Sequence, residues 1–138
     1  MSYETLFDAS YHRVIASERD GVDFFEAFYQ RFLCASPVVG EKFSSTDMAH
    51  QRKMLKKSFY SLVAFYASGS VDSVLEKIAE SHSVRVLDIP PELYDIWLEC
   101  LIETVARFDD AFHDEVELAW RLVLCPGIVY LKFKYARC

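Results

Sequence analysis

Lys77-Ile78-Ala79-Glu80-Ser81-His82 ends a helix-like apolar stripe with a histidine and runs into a short loop that closes at Ile89-Pro90-Pro91. Leu75, Ile78, Ala79 and His82 share one helical face, so the imidazole points with the apolar side chains toward the interior. An imidazole presented in this way suits an axial ligand to the iron of a haem, and it suits an ordinary core histidine as well. Taken alone, such a residue is more often the second, so the rest of the chain decides. A second polar residue interrupts an apolar pattern upstream: Gln51 lies within the repeat Met48, Gln51, Leu55, Phe59, Leu62, Tyr66, whose steps are three or four residues throughout. The cysteines, Cys34, Cys100, Cys125 and Cys138, form no Cys-x-x-Cys pair and have no zinc-site spacing with histidines, so they read as reduced thiols. Cys100 and Cys125 fall on apolar stripes and are expected to be buried, whereas Cys138 is open to oxidation in air.

The chain has 138 residues, 52% of them hydrophobic, enough for one domain (1–138) with a real core and too few for a second of ordinary size. Eleven Phe, eight Tyr and two Trp supply large flat surfaces for a core or for the walls of a pocket. A formal net charge of -6 argues against nucleic acid, whose phosphates require a basic surface. Lys53, Lys56 and Lys57 form the one local basic cluster, most simply a solvated helix face. The first residues carry no basic and apolar signal pattern, and no apolar run approaches the ~18 residues needed to span a bilayer. A soluble, cytoplasmic protein with no membrane partner is the expectation.

Few glycines and prolines punctuate the sequence, and they fall between segments of helical period, which predicts an all-α chain with short connections. A first helix is expected over Glu4 to Ser17, with Leu6, Tyr11, Val14 and Ile15 as core contacts. Gly21 precedes a second, Val22 to Ala35, whose stripe holds Phe25, Phe28, Tyr29 and Phe32. Pro37 starts a single turn leading to Phe43. One of Ser44, Ser45, Thr46 or Asp47 caps a helix that continues to about Ala67 and stops at Gly69. The histidine helix spans Val71 to Ser83. Pro91 opens the next, with Tyr94, Trp97, Leu98, Leu101, Ile102 and Val105 on its apolar side. The last begins near Asp114 and should kink or break at Pro126-Gly127.

Taken in order, these features resemble the globins: Phe28-Tyr29, Pro37, Phe43, the helix with Gln51 and Leu55, Lys77-Ile78-Ala79 leading to His82, Pro90 to Tyr94, and Trp120 near the start of the final helix. The likeness covers nearly the whole chain. It is nearest to bacterial single-domain haemoglobins and the haem domain of flavohaemoglobins, and extends to globin-coupled sensors. It implies an all-α single globin fold, a three-over-three helical sandwich, around a non-covalent haem b, since no Cys-x-x-Cys-His attachment motif occurs.

The resemblance also implies roles. His82 matches the proximal histidine that ties iron to the protein, with its other ring nitrogen needing an acceptor, most simply a backbone carbonyl one turn earlier. Phe43 matches the phenylalanine stacked on the porphyrin, Tyr29 the distal tyrosine, Gln51 the polar residue of the distal helix, and Leu55 the apolar wall over the iron. Trp97 and Ile89 complete the pocket. Arg85 is a candidate partner for a haem propionate, with an exposed charge as the alternative, and Arg52 is a second. His50, rather than Gln51, faces the iron if the distal helix starts one residue differently. Tyr94 matches a tyrosine that, in flavohaemoglobins, works with a late carboxylate on the proximal histidine. Here the late segment reads Phe133-Lys134-Tyr135, with no acid, which implies a less anionic imidazole.

Reversible binding of oxygen, nitric oxide or carbon monoxide follows as the expected function. Nitric oxide dioxygenation is an accompanying activity that requires a separate reductase. The alternative is a haem-based gas sensor acting through a partner or homodimer. Trp97, Leu101, Leu124, Ile128 and Leu131 of the last two helices suit such pairing, and core packing explains them equally well.

Overall fold

The computed structural model describes residues 1–138 and is all-helical apart from one small hairpin. Helix α1 (Tyr3–Ile15) is capped by Ser2, whose hydroxyl accepts from the Thr5 N–H, and buries Phe7, Ser10, Tyr11 and Val14. Ile15, expected in the core, is 37% exposed, and Leu6 is only half-buried. Strands β1 (Glu18–Arg19) and β2 (Val22–Asp23) pair antiparallel. Their turn, Asp20-Gly21, has φ of 54° and 80°, so the consecutive positive φ angles of a tight hairpin fall on two of the residue types that tolerate them. This hairpin displaces the expected start of the second helix. Helix α2 (Phe24–Ala35) begins after Asp23, whose carboxylate accepts from the Glu26 N–H.

Helix α3 (Pro37–Lys42) is the predicted turn before Phe43. Asp47 is the cap of α4 (Met48–Ser68), accepting from Ala49 and His50, and Gly69 ends the helix in the left-handed region at φ 70°. Helix α5 (Ser73–His82) follows, then α6 (Pro91–Phe108) and α7 (Asp114–Lys134). Helix α1 lies along α7, α2 crosses α6, and α4 packs on α7, which leaves α4 and α5 facing each other over the start of α6.

Contrary to the expected break, α7 runs continuously through Pro126-Gly127. The proline removes one backbone donor, but Val123, Leu124, Ile128 and Leu131 are buried on both sides of it and hold the helix in place. Gly127 has its own packing reason: a β-carbon there would collide with Leu62 Cδ2, so glycine allows α4 to approach α7. Cys125 is exposed rather than buried, because Val123, Leu124 and Ile128 occupy the inward positions around it; Cys100 is buried as expected.

One polar network crosses the core. The Trp120 indole N–H donates to Ser10 Oγ at 2.9 Å, and Ser10 donates to Asp109 Oδ2 at 2.6 Å. Arg13 closes the far side of the carboxylate with Nε at 2.6 Å and Nη2 at 2.9 Å, and the Ala111 N–H adds a further bond at 2.9 Å. Every buried polar group in this chain of bonds is satisfied, so it fixes the register of α1 against α7 and the end of α6.

Candidate functional site

A cavity of about 230 Å³ lies between α4, α5 and α6. Its walls are mostly apolar: Phe32, Phe43, Leu55, Leu62, Ile89 and Trp97 are among them, and Tyr29, Gln51, His82 and Tyr94, with Lys42, Thr46 and Ser58, supply the polar groups. Eight of the residues singled out from the sequence thus line one space, whereas Arg52, Arg85 and His50 do not.

His82 stands on the last turn of α5, where the stripe of Leu75, Ile78 and Ala79 carries it inward. Its Nδ1 lies 3.0 Å from the Tyr94 hydroxyl, from the second turn of α6. The partner is therefore a tyrosine of the next helix, not the backbone carbonyl expected one turn earlier. Burial lowers the imidazole pKa to about 4, so the ring is neutral at pH 7 and carries a single proton. In the tautomer whose Nδ1–H donates to the Tyr94 oxygen, Nε2 keeps a free lone pair; no protein group bonds Nε2. Burial raises the Tyr94 pKa well above the ordinary tyrosine value, so this phenol stays protonated. No carboxylate bonds it.

Across the cavity stands Tyr29, only 4% exposed on α2. The Gln51 amide donates to its oxygen at 3.2 Å, which leaves the phenol proton as the group without a protein acceptor. Burial raises the Tyr29 pKa to about 12, against smaller opposing contributions from the Gln51 bond and the Arg52 charge, so the proton is retained at neutral pH. Gln51 is on the cavity wall and His50 is exposed, so the Asp47 cap sets the register that brings in the amide. Phe43 stands edge-on to both Tyr29 and Phe32, with ring centroids 6.0 and 5.9 Å apart.

Arg85 does not join them. It borders a separate recess with Glu76, Glu80, Tyr130 and Lys134. The turn after α5 directs it away, since Asp88 N–H donates to Ser83 and Ile89 N–H to His82, folding the loop back on the helix end. The cation on the cavity wall is Lys42, whose Nζ donates to the Leu87 carbonyl at 3.3 Å and lies 3.8 Å from Asp88. Sequence reasoning passed over it, although it immediately precedes Phe43. Asp88 is held in turn by the Tyr135 hydroxyl, and Val84 N–H donates to the Tyr135 carbonyl at 3.0 Å. The residues after α7 thus latch the loop below His82.

The donor set discriminates among metals. No group of three His, Cys, Asp or Glu side chains is placed to hold an ion. A bare cation would find one nitrogen at His82; a metal that brings its own planar ring of donors needs only that one, plus apolar walls and a cation at its anionic edge. The residues present fit a haem.

A search of solved structures aligns the chain with a crystallised Pseudomonas aeruginosa PAO1 protein described as structurally highly homologous to a human hemoglobin. The match has 38% identity, a TM-score of 0.89, and covers 98% of this chain and 99% of that one. No family model and no curated protein matches. With this fold, this coverage and this identity, the chain belongs to the globin family. No helix is long and apolar enough to cross a membrane.

Proposed function

We propose that the chain binds haem b through His82 Nε2 and reversibly holds oxygen, nitric oxide or carbon monoxide on the Tyr29 side. The observation that carries this reading is that one mostly apolar cavity is lined both by a neutral imidazole whose Nε2 has no protein partner and by a phenol whose proton has no protein acceptor. When bound, haem supplies an iron centre that takes a diatomic gas and changes oxidation state. The protein supplies the rest. Tyr94 fixes the His82 tautomer and ring angle, and Phe43, Ile89 and Trp97 offer flat or branched apolar surface to the macrocycle. Lys42 offers its ammonium to carboxylates at the macrocycle's edge. Tyr29 would present its phenol proton to a gas held on its side of the cavity, Gln51 would polarise that donor, and Leu55 would exclude water.

Nitric oxide dioxygenation, in which oxygen and nitric oxide leave as nitrate and one electron must be restored, fits the same site with an external reductase. A His82–Tyr94 pair with no carboxylate leaves the imidazole close to neutral, which favours gas binding over cleavage of an oxygen–oxygen bond. A second reading, gas sensing through a paired copy in a soluble cytoplasmic protein, rests on the outward stripe of α7. Leu118, Leu122, Val129 and Phe133 are 38%, 37%, 58% and 55% exposed there.

The test is the visible spectrum of the haem-reconstituted protein, ferric and then reduced, before and after carbon monoxide. A five-coordinate ferrous form that converts to a carbon monoxide adduct is expected. Failure to retain haem, or its retention after His82→Ala with an unchanged spectrum, overturns the assignment. Sedimentation of wild type and Val129→Glu separates the single-copy reading from the paired one.

A further inference from the structure

Helix α4 is electrically unlike the rest of the molecule. From Met48 to Val71 there is no Asp or Glu, while Arg52, Lys53, Lys56 and Lys57 stand within six consecutive positions of a chain whose net charge is -6. None of the four pairs with a carboxylate, whereas Arg13, Arg19, Arg31, Arg107 and Arg121 each do. Gln51, Leu55, Ser58 and Leu62 turn one face of the helix to the cavity, so the helical period puts Lys53, Lys56, Lys57 and Tyr60 on the other. Tyr60, 70% exposed, ends this cationic face one turn beyond Lys56 and Lys57. The patch also reaches the cavity: Met54, a wall residue that is 38% exposed, is a helical neighbour of both Lys57 and His50.

We propose that the outward face of α4, Lys53, Lys56 and Lys57 with Tyr60 at its end, is the docking surface for an acidic electron-transfer protein that reduces the centre in the cavity. The inference rests on the haem reading above and adds the partner that reading requires. Unpaired lysines beside one exposed tyrosine are the composition of a steered, short-lived interface, in which charge raises the encounter rate and an aromatic side chain supplies the contact. A membrane fits less well, because this face carries no Leu, Ile, Phe or Trp to enter the lipid. Nucleic acid fits less well because the acidic remainder of the surface repels an extended polyanion.

The experiment mixes haem-loaded ferric protein with reduced flavodoxin, a small acidic FMN protein, under carbon monoxide in a stopped-flow instrument. In the wild type the second-order rate should fall steeply with added salt. In Lys53→Glu/Lys56→Glu/Lys57→Glu it should be lower by at least about tenfold at low salt and lose that dependence. The Lys→Gln version at the same positions should fall between the two, and Tyr60→Ala should slow the reaction without altering the salt slope. Reduction by dithionite and carbon monoxide binding should be unchanged in all. Equal flavodoxin rates in wild type and triple variant overturn the proposal. So does lysine-dependent binding confined to vesicles of equal parts phosphatidylglycerol and phosphatidylcholine. If haem is not retained, titration of the haem-free chain with flavodoxin separates the two claims. Lysine-dependent binding then upholds the docking face while the haem reading fails, and no binding overturns both.

Discussion

Replacing Tyr29 with Phe removes a single oxygen from a side chain that is 4% exposed, and leaves the ring contacts to Phe28, Phe32 and Phe43 in place. What is lost is a buried hydroxyl proton that has no protein acceptor, on a ring that lines the same cavity as His82. A hydrogen bond to a charged group contributes about 1.5–3 kcal/mol. At 1.36 kcal/mol per decade, its loss should speed oxygen dissociation from the reduced haem-loaded protein by roughly 10- to 150-fold. Gln51 acts on the same bond at one remove, by donating to the phenol oxygen at 3.2 Å. Polarisation along such a chain is worth about 10–30% of a bond, so Gln51→Leu should speed dissociation by at most about fivefold. The double variant should match Tyr29→Phe alone, since an amide that works through the phenol has nothing left to polarise. Displacement of oxygen by excess carbon monoxide, followed in a stopped-flow instrument, measures all three rates. A Tyr29→Phe rate within twofold of wild type refutes the assignment of the donor, and a Gln51→Leu effect as large as that of Tyr29→Phe refutes the relay.

Tyr94→Phe leaves His82 Nδ1 without its partner at 3.0 Å, and loss of such an outer partner should weaken haem retention by about 10- to 100-fold, read as transfer to an apoglobin acceptor. At Asp109, burial alone would raise the pKa, but the bonds from Arg13, Ser10 and the Ala111 N–H outweigh it and the folded value lies below the ordinary carboxylate one. The stability this contributes is complete above the unfolded pKa of about 3.9 and is lost as pH falls through the folded value. Asp109→Asn should therefore unfold with a flatter pH dependence below pH ~4. At neutral pH it should be less stable by about 3 kcal/mol, the low end for a broken buried pair because Arg13 keeps 38% of its side chain in solvent. Urea titrations at both pH values check the two together. Gly127→Ala should cost about 1–3 kcal/mol by overpacking against Leu62, and Leu62→Ala in the same chain should recover part of it; an additive double variant would refute the contact.

Periodicity alone specified most of this molecule. The spacing of Leu75, Ile78 and Ala79 with His82, and of Gln51 with Leu55 and Leu62, sends each side chain to the face where the structure has it, because a helix admits one geometry per residue step. The order of those elements carried the resemblance to globins, and the fold agrees with it. Local chemistry that the periodic pattern hides was harder to read. The Asp20-Gly21 turn joins two strands of two residues each, Glu18–Arg19 and Val22–Asp23, too short for an alternating pattern to announce them, and the unbroken α7 defies Pro126 because burial on either side outweighs one missing hydrogen bond. Relations between distant segments lay beyond the sequence altogether. Ser10, Asp109 and Trp120 form one network only when α1, α6 and α7 meet. Tyr94, not a carbonyl, faces His82 because the loop between them folds back on the helix end. The same loop turns Arg85 outward and leaves Lys42 as the cation on the cavity wall. Side-chain direction along a helix is a property of the local chain; which charge completes a cavity is decided by how separate helices pack.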